Sequence, residues 1–244
     1  MRYDAGEVIT AMVTPFNEKR DVDYEKAASY FMMSAENGHS ESQRILGDLY
    51  YAGQGVEQDY NLAIQWYSKA AEQGDSFAQG KLGLMYYRGE GVERDYVKAI
   101  ELLTQIAKEG NAEAQKTLGD IYYEGKGVVQ NYELAVEYYQ MASKQEYADA
   151  QYSLALCYYH GYGLEQNVDE AMTLFLKAAE QGNSQAQWRI GLLYHYGYGV
   201  EQDYPKAMEW YLKAAEQNNP EADHPAQHPD HHRNPRLLWL HGSE

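Results

Sequence analysis

The side chains with the plainest chemical potential are four histidines near one end of the sequence, His224, His228, His231 and His232, interleaved with Pro225 and Pro229. Neutral imidazoles at this density suit zinc, nickel or copper. The two prolines break any helix that would present them as a pair, and no cysteine stands beside them. No metal site is expected there, and no cofactor. The lone cysteine, Cys157, excludes an intramolecular disulfide framework. It shares a column with Leu49, Met85 and Ile121 and reads as a buried, inert thiol. His160 and His195 are the residues around which a hydrolase-type site in a groove would be built, and that is the alternative reading. Against it, the sequence holds no His-Glu-x-x-His and no Gly-x-Ser-x-Gly. Its Gly-x-Gly turns lack a third glycine and lead into acidic residues, so they do not cradle phosphates. Glu57, Glu93, Asp59 and Asp95 recur at turn and capping positions, and no carboxylate pair is singled out for acid–base work. The chain reads as non-catalytic.

The elements that would position any site repeat with a period of 36 residues from Arg44 to about Asp223. Leu46 to Val56 returns as Leu82–Val92, Leu118–Val128, Leu154–Leu164 and Ile190–Val200. The stretch from Asp59 to Gly74 returns as Asp95–Gly110, Asn131–Glu146, Asn167–Gly182 and Asp203–Asn218. A period of this length means stacked units, each burying its apolar face against its neighbours. One unit predicts a helix over Ser76–Arg88, capped by Asp75 and ended by Gly89. Ala78, Leu82 and Tyr86 form its inward face with Gly83 between them. A glycine inside a helix costs about 1 kcal/mol against alanine, so Gly47, Gly83, Gly119 and Gly191 predict a close helix approach. A second helix runs from after Asp95 to about Glu109, with Ala99, Leu102, Leu103, Ile106 and Ala107 as its apolar stripe. The expected fold class is all-α: a right-handed α/α superhelical solenoid of stacked helical hairpins with 36-residue repeats. Tyr50, Tyr86, Tyr122, Tyr158 and Tyr194 are expected in its core.

The pattern from Leu192-Leu193-Tyr194 through Gly197-Tyr198-Gly199-Val200 and Asp203-Tyr204 to Ala214-Ala215-Glu216 resembles the Sel1-like repeat family, relatives of the tetratricopeptide repeats. The resemblance implies an α/α superhelix acting as an adaptor in protein complexes. Members of that family serve in bacterial signalling, protein quality control and regulation of the cell envelope. A toxin-immunity role belongs to the same class.

The expected organisation is an atypical cap or extended arm over residues 1–22, a partial repeat over 23–43, five repeats over 44–223, and a His/Pro-rich tail over 224–244. In the arm, Ile9 to Asn17 with Val22-Asp23-Tyr24 is also similar to the opening of dihydrodipicolinate synthase. The similarity stops there, and no catalytic residue follows from it. In the tail, Leu237-Leu238-Trp239-Leu240 is an apolar run that could dock on the last repeat. The net charge of −17 excludes nucleic acid as a partner, because a phosphate backbone demands a basic stripe. No segment approaches the roughly 20 apolar residues of a membrane span. With no signal peptide legible at the N-terminus, a cytoplasmic location is expected.

Residues four apart on the first helices share a face. They read Arg44, Asp48, Ala52; Gly80, Leu84, Arg88; Lys116, Asp120, Glu124; then Tyr152, Leu156, His160; and Trp188, Leu192, Tyr196. The family resemblance places this face on the concave side. Its change from charged to aromatic makes Tyr152, Leu156, His160, Trp188, Leu192 and Tyr196 the candidate residues for binding a protein or peptide. Tyr162 and Tyr198 in the turns extend the same surface.

Overall fold

Side-chain caps decide where most of the helices begin. Asp75 accepts a hydrogen bond from the Ala78 N–H at 2.9 Å, Asp95 from Lys98 at 3.0 Å, and Asn183 from Ala186 at 2.8 Å. Each satisfies a backbone donor that the first helical turn leaves open. The structure is a computed structural model that describes residues 24–217. Among these residues there are eleven helices and no strand. They fall into two compact units, Met1–Val129 and Gln130–Glu244.

The first unit contains α1 (Tyr24–Glu36), α2 (Ser40–Ala52), α3 (Tyr60–Glu72), α4 (Ser76–Arg88), α5 (Tyr96–Lys108) and α6 (Ala112–Glu124). The second contains α7 (Tyr132–Ser143), α8 (Ala148–His160), α9 (Val168–Glu180), α10 (Ser184–Tyr196) and α11 (Tyr204–Ala215). Helices of 12 or 13 residues are marginal in isolation, so packing must hold them. Each packs on its sequence neighbours within its unit. Phe31 of α1 joins Leu46 and Leu49 of α2 in one cluster. Ala63 and Tyr67 of α3 meet Ala78, Leu82 and Met85 of α4 in the next. In the second unit, Trp188 and Leu192 of α10 pack with Ala207, Tyr211 and Ala214 of α11. Burying a leucine or an aromatic of this kind contributes about 1.5–3 kcal/mol.

The helix-interior glycines do mark a close approach, and the approaching group is a side chain of the hairpin's second helix. A Cβ on Gly47 would sit 2.6 Å from Cδ1 of Tyr67, and one on Gly191 at 2.6 Å from Cδ1 of Tyr211. The second glycine of the turns has a different task. Gly91, at φ +70°, lies on the start of the preceding second helix, where a Cβ would come within 2.5 Å of Tyr60 Cβ. Each turn thus rests on the hairpin before it.

The tyrosines of the Tyr50 column are half-buried, not core as their spacing predicts. The hydroxyl of Tyr86, for example, stays at the surface and accepts from Lys98 Nζ at 2.8 Å. The buried tyrosines lie elsewhere: Tyr67, Tyr139, Tyr159 and Tyr211. One position also breaks the repeat's grammar. Gly38, Gly74, Gly110 and Gly182 end helices with positive φ, whereas Glu146 holds the equivalent place at φ +61°.

Candidate functional site

Ion pairs occupy the charged half of the candidate face, in the first unit. Arg44 reaches Asp48 at 3.3 Å and Asp75 at 3.5 Å. Lys116 reaches Asp120 at 2.6 Å, and Arg88 reaches Glu113 at 3.3 Å. Pairs this exposed contribute little to stability. They do mean that these charges already have protein partners.

The aromatic half lies wholly in the second unit, and there the structure divides the six candidates. Trp188 is 1% exposed and Leu192 6% exposed, both closed in against Tyr211 of α11. These two belong to the hairpin core. Tyr152, Leu156, His160 and Tyr196 are each half-buried, with part of their surface open. Tyr152 leans on Phe175 of α9, ring centroids 5.8 Å apart.

Two aromatic stacks at the turns hold the rest together. Tyr162 lies flat on Tyr132 of α7, centroids 4.9 Å apart and planes within 13°. His160 stacks on the same Tyr162 at 5.2 Å, and Tyr159 meets His160 edge-on at 4.9 Å. One hairpin on, Tyr198 stacks on Tyr196 at 5.6 Å, and His195 contacts Tyr196 at 4.5 Å and the edge of Tyr204 at 5.3 Å. Offset rings at these distances gain about 0.5–1.5 kcal/mol beyond their burial. Tyr162 and Tyr198 are each 37% exposed, so the stacks present rigid aromatic surface outward. Burial, then the neighbouring Tyr198 and Tyr204 hydroxyls, raise the Tyr196 pKa above the ordinary tyrosine value. The Tyr196 phenol is therefore a neutral donor and acceptor at physiological pH.

The two histidines named for the enzymatic alternative each pack in a separate one of these stacks. Cys157 is fully buried, and desolvation pushes its thiol up to about 12. Thiolate chemistry is thereby suppressed near neutral pH. Among the described residues no group of three or more His, Cys, Asp or Glu is placed to hold a metal. The tail histidines, the Leu237–Leu240 run and the stretch resembling dihydrodipicolinate synthase lie outside the described residues, save Tyr24 at the end of that stretch.

One set of residues escaped the sequence reading. Gln43, Gln79, Gln115, Gln151 and Gln187 recur in every first helix. Gln187 Nε2 donates to the Ala179 carbonyl of α9 at 3.1 Å, while its Oε1 accepts from Gln217 Nε2 at 2.8 Å. Gln43 does the same with Ala35 and Gln73, at 3.1 and 2.7 Å. One buried amide thus ties a first helix to the second helix before it and to the end of the one after it. The signal in the sequence is Gln directly after Ser or Ala, five times in register.

The family model of the Sel1 repeat matches residues 18–39, 40–75, 76–111, 112–147, 148–183 and 184–219. The chain belongs to the Sel1 repeat family. Sel1 repeat proteins are in general protein-interaction scaffolds. No curated protein matches this sequence. A Sel1 repeat protein from Oxalobacter formigenes is 30% identical, with TM-score 0.79, over 90% of this chain and 86% of that one. A protective antigen of uropathogenic Escherichia coli strains, displaying an SLR fold, is 35% identical with TM-score 0.74. That match covers 88% of this chain but only 46% of the antigen, so this chain corresponds to about half of it. An immunity protein from Pseudomonas aeruginosa, 24% identical with TM-score 0.50 over 94% of this chain and 85% of its own, shares the fold alone. No described helix of this Sel1 repeat protein is long and apolar enough to cross a membrane.

Proposed function

We propose that this chain is a non-catalytic adaptor whose Gln130–Glu244 unit binds a peptide or protein. Tyr152, Leu156, His160 and Tyr196 form the contact face, and Tyr162 and Tyr198 stand at its edge. The observation that carries this reading is the pair of outward-facing aromatic stacks, Tyr132–Tyr162–His160 and Tyr198–Tyr196–His195. Rings already held by their neighbours lose little conformational entropy on binding, which suits them to be anchors. Trp188 and Leu192 support the face from below. The net charge of −17 favours a ligand that carries basic residues beside its apolar ones. A cytoplasmic location is part of the proposal. So is a role in bacterial signalling, envelope regulation or toxin immunity, the settings to which the family resemblance points.

The test is quantitative affinity capture from a lysate of the source cells. Wild type is run beside a Tyr162→Ala, Tyr196→Ala, Tyr198→Ala variant, once both prove equally helical and stable. A protein retained by wild type and lost by the variant is the expected result. Equal retention would remove the aromatic face from the binding reaction. Hydrolytic turnover that survives purification and disappears in a His160→Ala, His195→Ala variant would overturn the non-catalytic reading.

A further inference from the structure

Every second helix carries apolar residues at its first and fifth positions, on the side turned to the next hairpin, and the ninth position continues the same side. On α3 this is Tyr60, Ile64 and Ser68, with the Gly91 turn seated on Tyr60 and Ile64. On α5 the Gly127 turn sits on Tyr96. On α7, Tyr132 is covered by Tyr162, and Val136 is 5% exposed. On α9 the Gly199 turn meets Val168. The stripe of α11 is Tyr204, Met208 and Leu212, more apolar than that of α3, yet its members are 59%, 57% and 56% exposed. A face built like those that receive the next hairpin lies open on the last described helix.

After α11 the sequence departs from the repeat. Pro225 and Pro229 fall where a first helix would run. Leu237-Leu238-Trp239-Leu240 is the apolar run of that segment, preceded by Arg233 and Arg236. The stripe on α11 is flanked by the exposed acids Glu209 and Glu216. Apolar surface and opposite charge therefore match. Reach matches as well. A random coil of 19 residues, the number between Gln217 and Leu237, would have a root-mean-square span of about 25 Å, against about 18 Å for the length of α11. A segment so tethered has an effective concentration in the millimolar range, at which weak apolar contacts suffice.

We propose that Leu237–Leu240 of the same chain docks on the Tyr204–Met208–Leu212 face of α11 and caps the repeat array. A full-length Met208→Cys, Leu238→Cys variant, oxidised at low micromolar concentration, tests this. The expected product is an intrachain disulfide, seen as a fast-migrating monomer band whose yield does not change on dilution. Cys157, being fully buried, stays out of the reaction. A product that is only interchain would assign the face to a second copy and overturn the proposal. No product at all would leave the face to an external partner and overturn it too. Amide exchange separates true docking from chance encounter. Leu237→Ser, Trp239→Ser should raise exchange along α11 by about tenfold while α4 is unchanged. An unaltered α11 rate would sink the proposal even if the disulfide forms.

Discussion

The hydroxyl of Tyr67 donates to Asp48 Oδ1 at 2.7 Å, joining the two helices of the first complete hairpin. Asp48 is held in turn by Arg44 at 3.3 Å. In the last hairpin the tyrosine persists as Tyr211, but Leu192 replaces the aspartate and Trp188 the arginine. The Tyr211 hydroxyl is buried without a hydrogen-bond partner. A bond to a charged group is typically worth about 1.5–3 kcal/mol, and a buried unsatisfied hydroxyl carries its full desolvation cost. Tyr67→Phe should therefore lower unfolding stability by roughly 1–2 kcal/mol. Tyr211→Phe should be neutral or stabilising by up to about 1 kcal/mol. Urea denaturation of the two variants reads the contrast. Equal losses would show that the hydroxyls, not their acceptors, matter.

Glu146 stands where the other helix ends carry glycine with positive φ. A left-handed conformation costs an L-residue about 1–2 kcal/mol, and the more flexible unfolded chain of a glycine variant returns part of the gain. Glu146→Gly is expected to stabilise by about 0.5–1 kcal/mol, seen as a higher urea midpoint with an unchanged slope. Gly182→Glu, the reverse exchange at φ +88°, should destabilise.

The interior glycines give an internal control. Gly47→Ala would drive a Cβ into the fully buried Tyr67 ring at 2.6 Å. Despite better helix propensity it should cost about 1–3 kcal/mol through overpacking. At Gly80 the nearest atom to an added Cβ is Ile106 Cδ1, the end of a flexible side chain, at 3.3 Å. Gly80→Ala should gain up to about 1 kcal/mol from propensity. Thermal melts of both variants under one condition would check the opposite signs.

Gln187→Leu removes the amide that serves the Ala179 carbonyl and accepts from Gln217. The Ala179 carbonyl keeps the Gly182 N–H at 3.0 Å, so the loss is that of two amide hydrogen bonds, about 1–3 kcal/mol together. Amide exchange near the ends of α9 and α11 should rise more than that of α8. A uniform rise would mean that the glutamine only fills space.

Burial holds the Cys157 thiol neutral up to about 12, against roughly 8.5 in an unfolded chain. A raised folded pKa contributes stability that is fully present below the unfolded value and is lost as pH climbs towards the folded one. Urea midpoints should therefore decline above about pH 8.5, reinforced near pH 10 by Tyr67, whose pKa burial and Asp48 also raise. A disulfide reagent at pH 8 should find no reactive thiol in the native protein and one after denaturation. Fast reaction in the native state would contradict the burial.

The repeat, the helix limits and most caps were legible because they depend on residues within a few positions of one another. Ser76–Arg88 is set by Asp75 before it and Gly89 after it, and both act through the nearest turn. The column of helical glycines could likewise be read as a close approach, because a glycine there has a known cost. What approaches it, the ring of Tyr67 or Tyr211, lies 20 residues further along the chain and became visible only in the packed hairpin.

The candidate face shows the same division. Spacing alone put Tyr152, Leu156, His160, Trp188, Leu192 and Tyr196 on one side of their helices. The tertiary structure decided that Trp188 and Leu192 turn under α11 while the others keep open surface. It also decided that Tyr162 reaches back to Tyr132 and that a glutamine in each first helix ties neighbouring helices together. Helical period is a property of the local backbone, written in every 36 residues. Exposure and stacking depend on which side chain the neighbouring hairpin lays over a position, and that exists only once the hairpins have packed.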